Sequence, residues 1–432
     1  MDQHVQRASL SLTAVGTAMC LAALTLAGCG TGATAGGLTL RVVAAEYGET
    51  PSNSSKPYWE GLAADFEKAN PGVKVEVDVV SWSEVDAKVA QMVKDGRAPD
   101  IAQIGAYADY ANAGKLYPAD ELLSIQTEAD FLSPLADAGK VRGDQYGLPF
   151  VASTRLLFYN QTLLTDAGVT GKDGGTWQPR TWADLVAAAK KLKASGVRTP
   201  FALPLGPEEA QAESMMWMLS GGGGYTNDAE AYAIDSAQNV KTFEFLRDKL
   251  VGQGLTGPVE PGGLDRQEAF DAFVRGEVGI LNGHPTLIKQ AQDKGIRIGI
   301  VPLPTEDGSE PRAMGVADWA MAFRNGHPKE AGHFLDFLYE AKNVSAFTGK
   351  YGLLPATTSG YQAMMRSTDP ATVQLQVFLK ALPSSRLYPV GKKSWAGVSQ
   401  RMKQDMGKSV QPGGRPATVL ADIAAGARTA EN

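Results

Sequence analysis

From Leu38 onward the chain alternates strand-like with helix-like segments, and no other feature restricts its fold so tightly. Leu38 to Ala44 is apolar and rich in β-branched residues; Tyr58, Trp59, Leu62, Ala63 and Phe66 then recur at helical spacing until Asn70-Pro71-Gly72 breaks the pattern. Val73, Val75, Val77 and Val79 fall on one face of a half-buried strand. Ser83 with Asp86 has the spacing of a capping box ahead of Val85, Val89, Met92 and Val93, and Pro99-Asp100 leads into Ile101 to Ile104. Strand, helix, strand, helix, strand implies an α/β fold with a largely parallel sheet and crossover helices.

The same grammar returns later. Thr181 with Asp184 opens a helix carrying Trp182, Leu185, Val186, Ala189 and Leu192; Asp265 with Glu268 opens another that ends at Gly276, before a strand from Val278 to Leu281. Pro328 starts a helix with Ala331, Phe334, Leu335 and Leu338 on one face. A chain of 432 residues exceeds the usual single core, so two lobes are expected. No low-complexity linker separates Leu38 from Ala424, which favours lobes that exchange strands over two beads on a string.

The N-terminus is of another kind. An uncharged run from Ala8 to Ala27 follows Arg7 and ends in Leu26-Ala27-Gly28-Cys29, with small residues just before the cysteine, as in a cleavable export signal. The pattern resembles the bacterial lipobox, which implies that residues 1–28 are a signal peptide and that Cys29 carries the lipid that tethers the protein to the outer face of the cell membrane. A plain signal peptide with an incidental cysteine, or an uncleaved anchor helix, are the alternatives. Thr31 to Gly37 is Gly, Ala and Thr without periodicity, so 29–37 is expected to be a flexible tether. Cys20 would leave with the peptide, and with Cys29 lipidated no disulfide is possible, so the domain must be held by its core. The net charge of −6 argues against a nucleic-acid partner.

Chemistry is conspicuous mainly for motifs that are missing. The four histidines lack metal-site spacing, and there is no GxGxxG after a strand, no GxxxxGK[ST] and no GxSxG, so neither metal nor cofactor is expected. Carboxylate pairs for glycoside hydrolysis need only meet in space, about 5 to 10 Å apart, so the sequence does not exclude them. Aromatic residues meet turns at Tyr47, Tyr107, Trp217 before Gly221-Gly222-Gly223-Gly224, Trp319 after Asp318, and Trp395. Ligands of open α/β sheets bind beyond the carboxyl ends of strands, where Tyr47 and Tyr107 are expected. Flat rings beside polar groups suit a sugar, which offers a C–H face and a rim of hydroxyls; burial in the core is the competing reading of each. His284 stands just past the strand before it, and the four glycines suit a tight turn.

The order of short segments resembles the extracellular solute-binding proteins of carbohydrate ABC transporters. It runs through Phe66 to Val75, Ala98-Pro99-Asp100-Ile101, Tyr146-Gly147-Leu148-Pro149, Leu157-Phe158-Tyr159-Asn160, Thr181 to Leu185, Gly222 to Tyr225, Phe273 to Gly283, Pro328 to Ala331 and Tyr351 to Ala356. The maltose-binding protein is a distant relative by the same segments. The resemblance implies a two-lobed periplasmic-binding-protein-like fold, each lobe a mostly parallel sheet flanked by helices, with three crossing strands near Val151–Thr154, Leu281–Asn282 and Gly315–Ala317. One lobe would combine 38–152 with 283–316, the other 153–282 with 317–432.

The expected function is therefore capture of a mono- or oligosaccharide between the lobes and delivery to a permease, without catalysis and as a monomer. The same architecture binding a glycerophosphodiester, polyamine or metal complex, and a surface-anchored glycoside hydrolase, are the alternatives. By the resemblance Trp395 matches a sugar-stacking tryptophan, and Gln211 and Glu213 fall among ligand contacts; His284 stands where the family often has an aromatic. With Tyr47, Glu46, Tyr107, Trp217, Asp318, Trp319 and Arg386 they make up the expected site.

Overall fold

The computed structural model describes residues 37–48, 51–82, 84–171 and 175–431. The export signal, Cys29 and the cap at Ser83 lie outside the described residues. Among those residues run the strands β1 (Leu38–Ala45), β2 (Val73–Val80), β3 (Ile101–Ile104), β4 (Lys140–Val141), β5 (Asp144–Gln145), β6 (Leu148–Asn160), β7 (Thr199–Ala202), β8 (Val278–Gly283), β9 (Ile298–Val301), β10 (Met314–Ala322) and β11 (Leu354–Pro355).

The expected periodicities produce the expected elements. Helix Lys56–Ala69 buries Trp59, Leu62, Ala63 and Phe66, one stripe at helical spacing, in which Leu62 and Phe66 each contribute roughly 1.5 to 3 kcal/mol on burial. At the start of helix Trp182–Ala194, the Asp184 amide donates to Thr181 Oγ1 at 3.3 Å and the Thr181 amide to Asp184 Oδ2 at 2.9 Å, closing the capping box.

The main sheet has the order β2-β1-β3-β10-β6-β8-β7, with β9 and β11 also paired to β6. β1 is parallel to both β2 and β3, and β7 is parallel to β8, as helical crossovers require; β6 and β10 run antiparallel to their neighbours. Thirteen residues long, β6 is the spine. Its first part pairs with β10 and β11, and its last residues, Leu156 to Asn160, pair with β8 and β9. Two lobes result, one built on β1, β2 and β3, the other on β7, β8 and β9.

This pairing corrects the expected boundaries. β9 lies against Leu157 to Asn160 of β6, so residues 283–316 do not join the first lobe. β8 stays within the second lobe between β7 and β6, and no crossing occurs at Leu281–Asn282. β10 returns the chain instead: its residues Trp319 to Ala322 pair with β3, which carries the following helix Pro328–Leu338 into the first lobe's core beside Phe66. The remaining crossing is the segment around Arg386. The Gly315 amide donates to the Arg386 carbonyl at 2.9 Å and the Arg386 amide to the Ala313 carbonyl at 3.0 Å. Gly315 permits that approach, because a Cβ there would lie 2.3 Å from Ser385 Oγ. The three connections between lobes are thus β6, β10 and the segment beside Gly315.

One core cluster holds Trp59, Phe66, Phe150, Phe334 and Phe347 of the first lobe; a second, with Trp182, Trp217, Phe243, Trp395 and Met402, lies in the second. A third runs through both lobes by way of Leu156 and Phe158. The helices Trp395–Val410 and Pro416–Glu431 pack together on the second lobe. Among the described residues, no helix is long and apolar enough to cross a membrane.

Candidate ligand cleft

The first lobe contributes a wall from strand ends. β1 stops at Ala45, so Tyr47 stands at its carboxyl end, and a register shift between Asp318 and Trp319 in β10 re-aims the Asp318 side chain. The Tyr47 hydroxyl donates to Asp318 Oδ2 at 2.7 Å and accepts from Gln103 Nε2 at 3.0 Å; Gln103 is fixed in turn by the Ala45 amide. Burial pushes the Asp318 carboxyl up to about 6, opposed by the Tyr47 hydrogen bond and assisted by the negative charges of Glu209 and Asp86. Trp82, two residues past β2, lies edge-on to Tyr47 with ring centroids 5.4 Å apart and remains 37% exposed. Phe347 backs Tyr47 at 4.9 Å.

The second lobe's wall is a bonded network. From β6, Arg155 Nη2 donates to Glu209 Oε1 at 2.7 Å, while Arg266 Nε lies 2.7 Å from Glu209 Oε2 and its Nη2 donates to Glu208. Arg266 Nη1 is 3.4 Å from His284 Nε2, and His284 Nδ1 is 2.9 Å from Thr286 Oγ1. Burial, with Arg155 and Arg266 nearby, holds His284 far below its usual range, so the imidazole is neutral. An arginine bonded at Nε2 assigns the proton to Nδ1. Glu213 accepts from Trp217 Nε1 and Asn282 Nδ2, both at 2.8 Å, and burial pushes its carboxyl up to about 7. Trp395 packs edge-on to Tyr225 and tilted against Tyr388, each at 4.9 Å, and is 7% exposed. Tyr225 donates to the Gln211 carbonyl at 2.7 Å. Arg155 Nε and Asn282 Oδ1 are buried without a hydrogen-bond partner among the described residues, which leaves donor and acceptor capacity in this wall.

The expected residues therefore divide. Tyr47 and Asp318 meet on one wall, and Trp395, Gln211, Glu213 and His284 gather on the other. Tyr107, Trp217 and Trp319 are fully buried and belong to the core. Tyr107 donates to the Ala138 carbonyl and its ring lies 5.2 Å from Trp319, so neither offers a face to a ligand. Glu46 is occupied by its own loop, accepting from the Gly48 and Ser55 amides and the Ser54 hydroxyl; burial alone would raise its carboxyl, but these bonds hold it below the usual range. Arg386 pairs at the surface with Asp228 at 2.8 Å. Gly222, with φ of 78°, makes the expected turn, while Gly221 has no room for a Cβ beside Thr242.

Trp82, Arg155, Glu209, Arg266, Gln103 and Tyr388 join the site although the sequence had not singled them out. Trp82 follows β2 much as Tyr47 follows β1, so the strand-end criterion reaches it. The others are brought in by register and by loop packing, which leave no local pattern.

Comparison with known proteins gives the family and the fold. A family model, Bacterial extracellular solute-binding protein, matches residues 50–345. A protein of Brucella abortus (strain 2308) named as a binding protein is 27% identical over 393 residues, 89% of this chain and 92% of that protein. The GacH receptor of Streptomyces glaucescens, solved unliganded and with acarbose, superposes with a TM-score of 0.74 at 22% identity, covering 91% of this chain and 99% of the receptor. A sugar transporter protein of Arthrobacter chlorophenolicus with bound laminaribiose gives a TM-score of 0.75 at 17% identity, over 90% and 99%.

Proposed function

This chain belongs to the bacterial extracellular solute-binding proteins, and from that premise we propose that it captures a carbohydrate between its two lobes and hands it to an ABC permease. The observation that carries the sugar is the exposed ring of Trp82 beside the hydrogen-bonded pair Tyr47 and Asp318, a flat apolar face next to groups that bond hydroxyls. The GacH receptor and the Arthrobacter protein, solved with acarbose and laminaribiose, support the same ligand class. A phosphorylated ligand fits less well, because Arg155 and Arg266 are already paired with Glu209 and Glu208.

The mechanism follows from the split site. A sugar first seated against Tyr47 and Trp82 gains the polar groups of the second lobe only when the lobes approach, with β6, β10 and the segment beside Gly315 as the connections that bend. The ligand favours closure by its differential affinity for the two forms. The family binds solutes and does not transform them. Cys29 supplies the lipid tether that holds the protein, as a monomer, at the outer face of the membrane near its permease.

Titration calorimetry with gluco-oligosaccharides, followed by recovery of the ligand, tests this reading. Saturable heat and an unchanged sugar are expected. Absence of binding by any saccharide, or recovery of a cleaved one, overturns it.

A further inference from the structure

Resting on the reading of the cleft as a saccharide site, the question is which saccharide, and the charges in the cleft constrain it. In the second wall two guanidiniums meet two glutamates, Arg155 and Arg266 with Glu209 and Glu208, and the charges cancel within hydrogen-bond distance. His284 is neutral between them. At the rim Asp86 accepts from the Gly105 amide at 3.3 Å and is opposed by the charge of Lys403. Glu46 and Arg386, the two charges that could have pointed to opposite ligand classes, are consumed elsewhere, by the loop after β1 and by Asp228.

Asp318 is the exception. Its partner is a neutral phenol, and the charges near it, Glu209 and Asp86, are both negative. Among the described residues no lysine, arginine or histidine pairs with it. A carboxylate withdrawn from water without a cation is costly, and proteins commonly relieve that cost with a counter-ion. Next to it Tyr47 and Trp82 present aromatic rings, with Trp82 still exposed, and aromatic faces attract cations through the ring quadrupole. A neutral sugar would satisfy the hydrogen bonds of Asp318 and leave its charge uncompensated.

We propose that the cleft is selective for a saccharide bearing a protonated amine, with Asp318 as counter-ion and Trp82 and Tyr47 as the aromatic face against which the ammonium group sits. The amine nitrogen donates to the Asp318 oxygen not taken by Tyr47, and the sugar ring covers Trp82. The pairing is charge-assisted and buried on closure, so it is stronger than the hydroxyl bond it replaces. It requires no rearrangement of the second wall, whose charges are already matched.

The test uses the purified protein and matched probes that differ at the amine: chitosan oligosaccharides, their N-acetylated counterparts, and cello-oligosaccharides, with spermidine as a cation lacking a sugar. Affinities are measured at pH 7.5, with folding of each variant checked by its thermal transition. The free amine is expected to bind at least about tenfold more tightly than the acetylated form, as for a charge-assisted bond against a neutral one. Asp318→Asn, which keeps an acceptor for Tyr47, is expected to erase that preference. Equal or weaker binding of the amine overturns the inference while leaving the saccharide reading intact, as does a preference that survives Asp318→Asn. Binding of spermidine but of no saccharide, lost in Asp318→Asn, keeps Asp318 as a counter-ion and overturns the sugar. If Asp318→Asn does not fold, Trp82→Ala takes its place: it alters an exposed ring, and an undiminished amine preference there overturns the aromatic half of the proposal.

Discussion

The two walls of the cleft are built on opposite principles. In the second lobe the charged groups are engaged by one another: Arg155, Glu209, Arg266 and Glu208 form one ionic chain, and Trp395 is packed between Tyr225 and Tyr388. In the first lobe an exposed Trp82 and a carboxylate without a cation are left open. A wall whose charges are already matched is held rigid by them, and in the proposed reading it orients the ligand, whereas the wall with an unmatched charge supplies the selectivity. Substitutions in the second wall should therefore disturb folding first and binding second, and those in the first wall the reverse.

The strongest way to break the contrast is Arg155→Ala. It leaves Glu209 one cation short and Glu213 without the positive charge beside it, and removing one partner of a buried pair costs about 3 to 5 kcal/mol. Denaturant unfolding of the unliganded protein should show most of that loss. A variant that unfolds like the parent would mean that the chain of ion pairs does not support the fold.

The tryptophans give a paired comparison of slightly smaller size. Trp395→Ala should cost about 3 kcal/mol of stability, since it empties a packed position between two tyrosines, and should also weaken ligand binding. Trp82→Ala should leave the melting temperature nearly unchanged and cost about 1 to 2 kcal/mol of affinity, the worth of one aromatic face. If Trp395→Ala lost affinity alone and Trp82→Ala lost stability alone, the assignment of the walls would be inverted.

A third contrast is in pH. Glu213 and Asp318 are both raised by burial, to about 7 and about 6 from 4.5 and 3.8, so each favours the folded state most when protonated. Their contribution is fully present below about pH 4 and is lost as pH rises, through about 6 for Asp318 and about 7 for Glu213. Each shift is worth about 3 kcal/mol. Glu213→Gln and Asp318→Asn should each flatten the stability curve of the unliganded protein across its own window. A bound amine should reverse the sign for Asp318 alone, because the ligand favours its ionised form, and Glu213 should be unaffected.

Much of this was legible in the sequence, for reasons that particular residues show. Trp59, Leu62 and Phe66 recur with the period of a buried helix face, and Thr181 with Asp184 makes a cap from its own neighbours, so both are local facts. The lobe boundaries are not local. β9 and β10 are both largely apolar strands, and their register against β6 sends one to the second lobe and the other across to the first. The aromatics failed as a guide for a similar reason: Tyr107 follows β3 much as Tyr47 follows β1, yet packs against Trp319 of β10 beside Gly147, where a Cβ would lie 2.6 Å from the Tyr107 ring. Depth below the surface has no signature in spacing.

Arg386 provides the finest test of the comparison, because it lies on a connection between the lobes and yet outside both walls. Its side chain is 49% exposed and its partner Asp228 is 94% exposed, so the pair is screened by water and contributes less than about 0.5 kcal/mol. What its position requires is the backbone, whose amide and carbonyl pair with Ala313 and Gly315 across the crossing. Arg386→Ala should thus preserve stability and ligand affinity alike, whereas Arg386→Pro, which removes the amide donor, should weaken the crossing. Thermal unfolding and calorimetric titration of the two variants check both expectations. A marked loss of affinity in Arg386→Ala would bring its guanidinium into the cleft and place a cation there, against the charge balance on which selectivity for an amine depends.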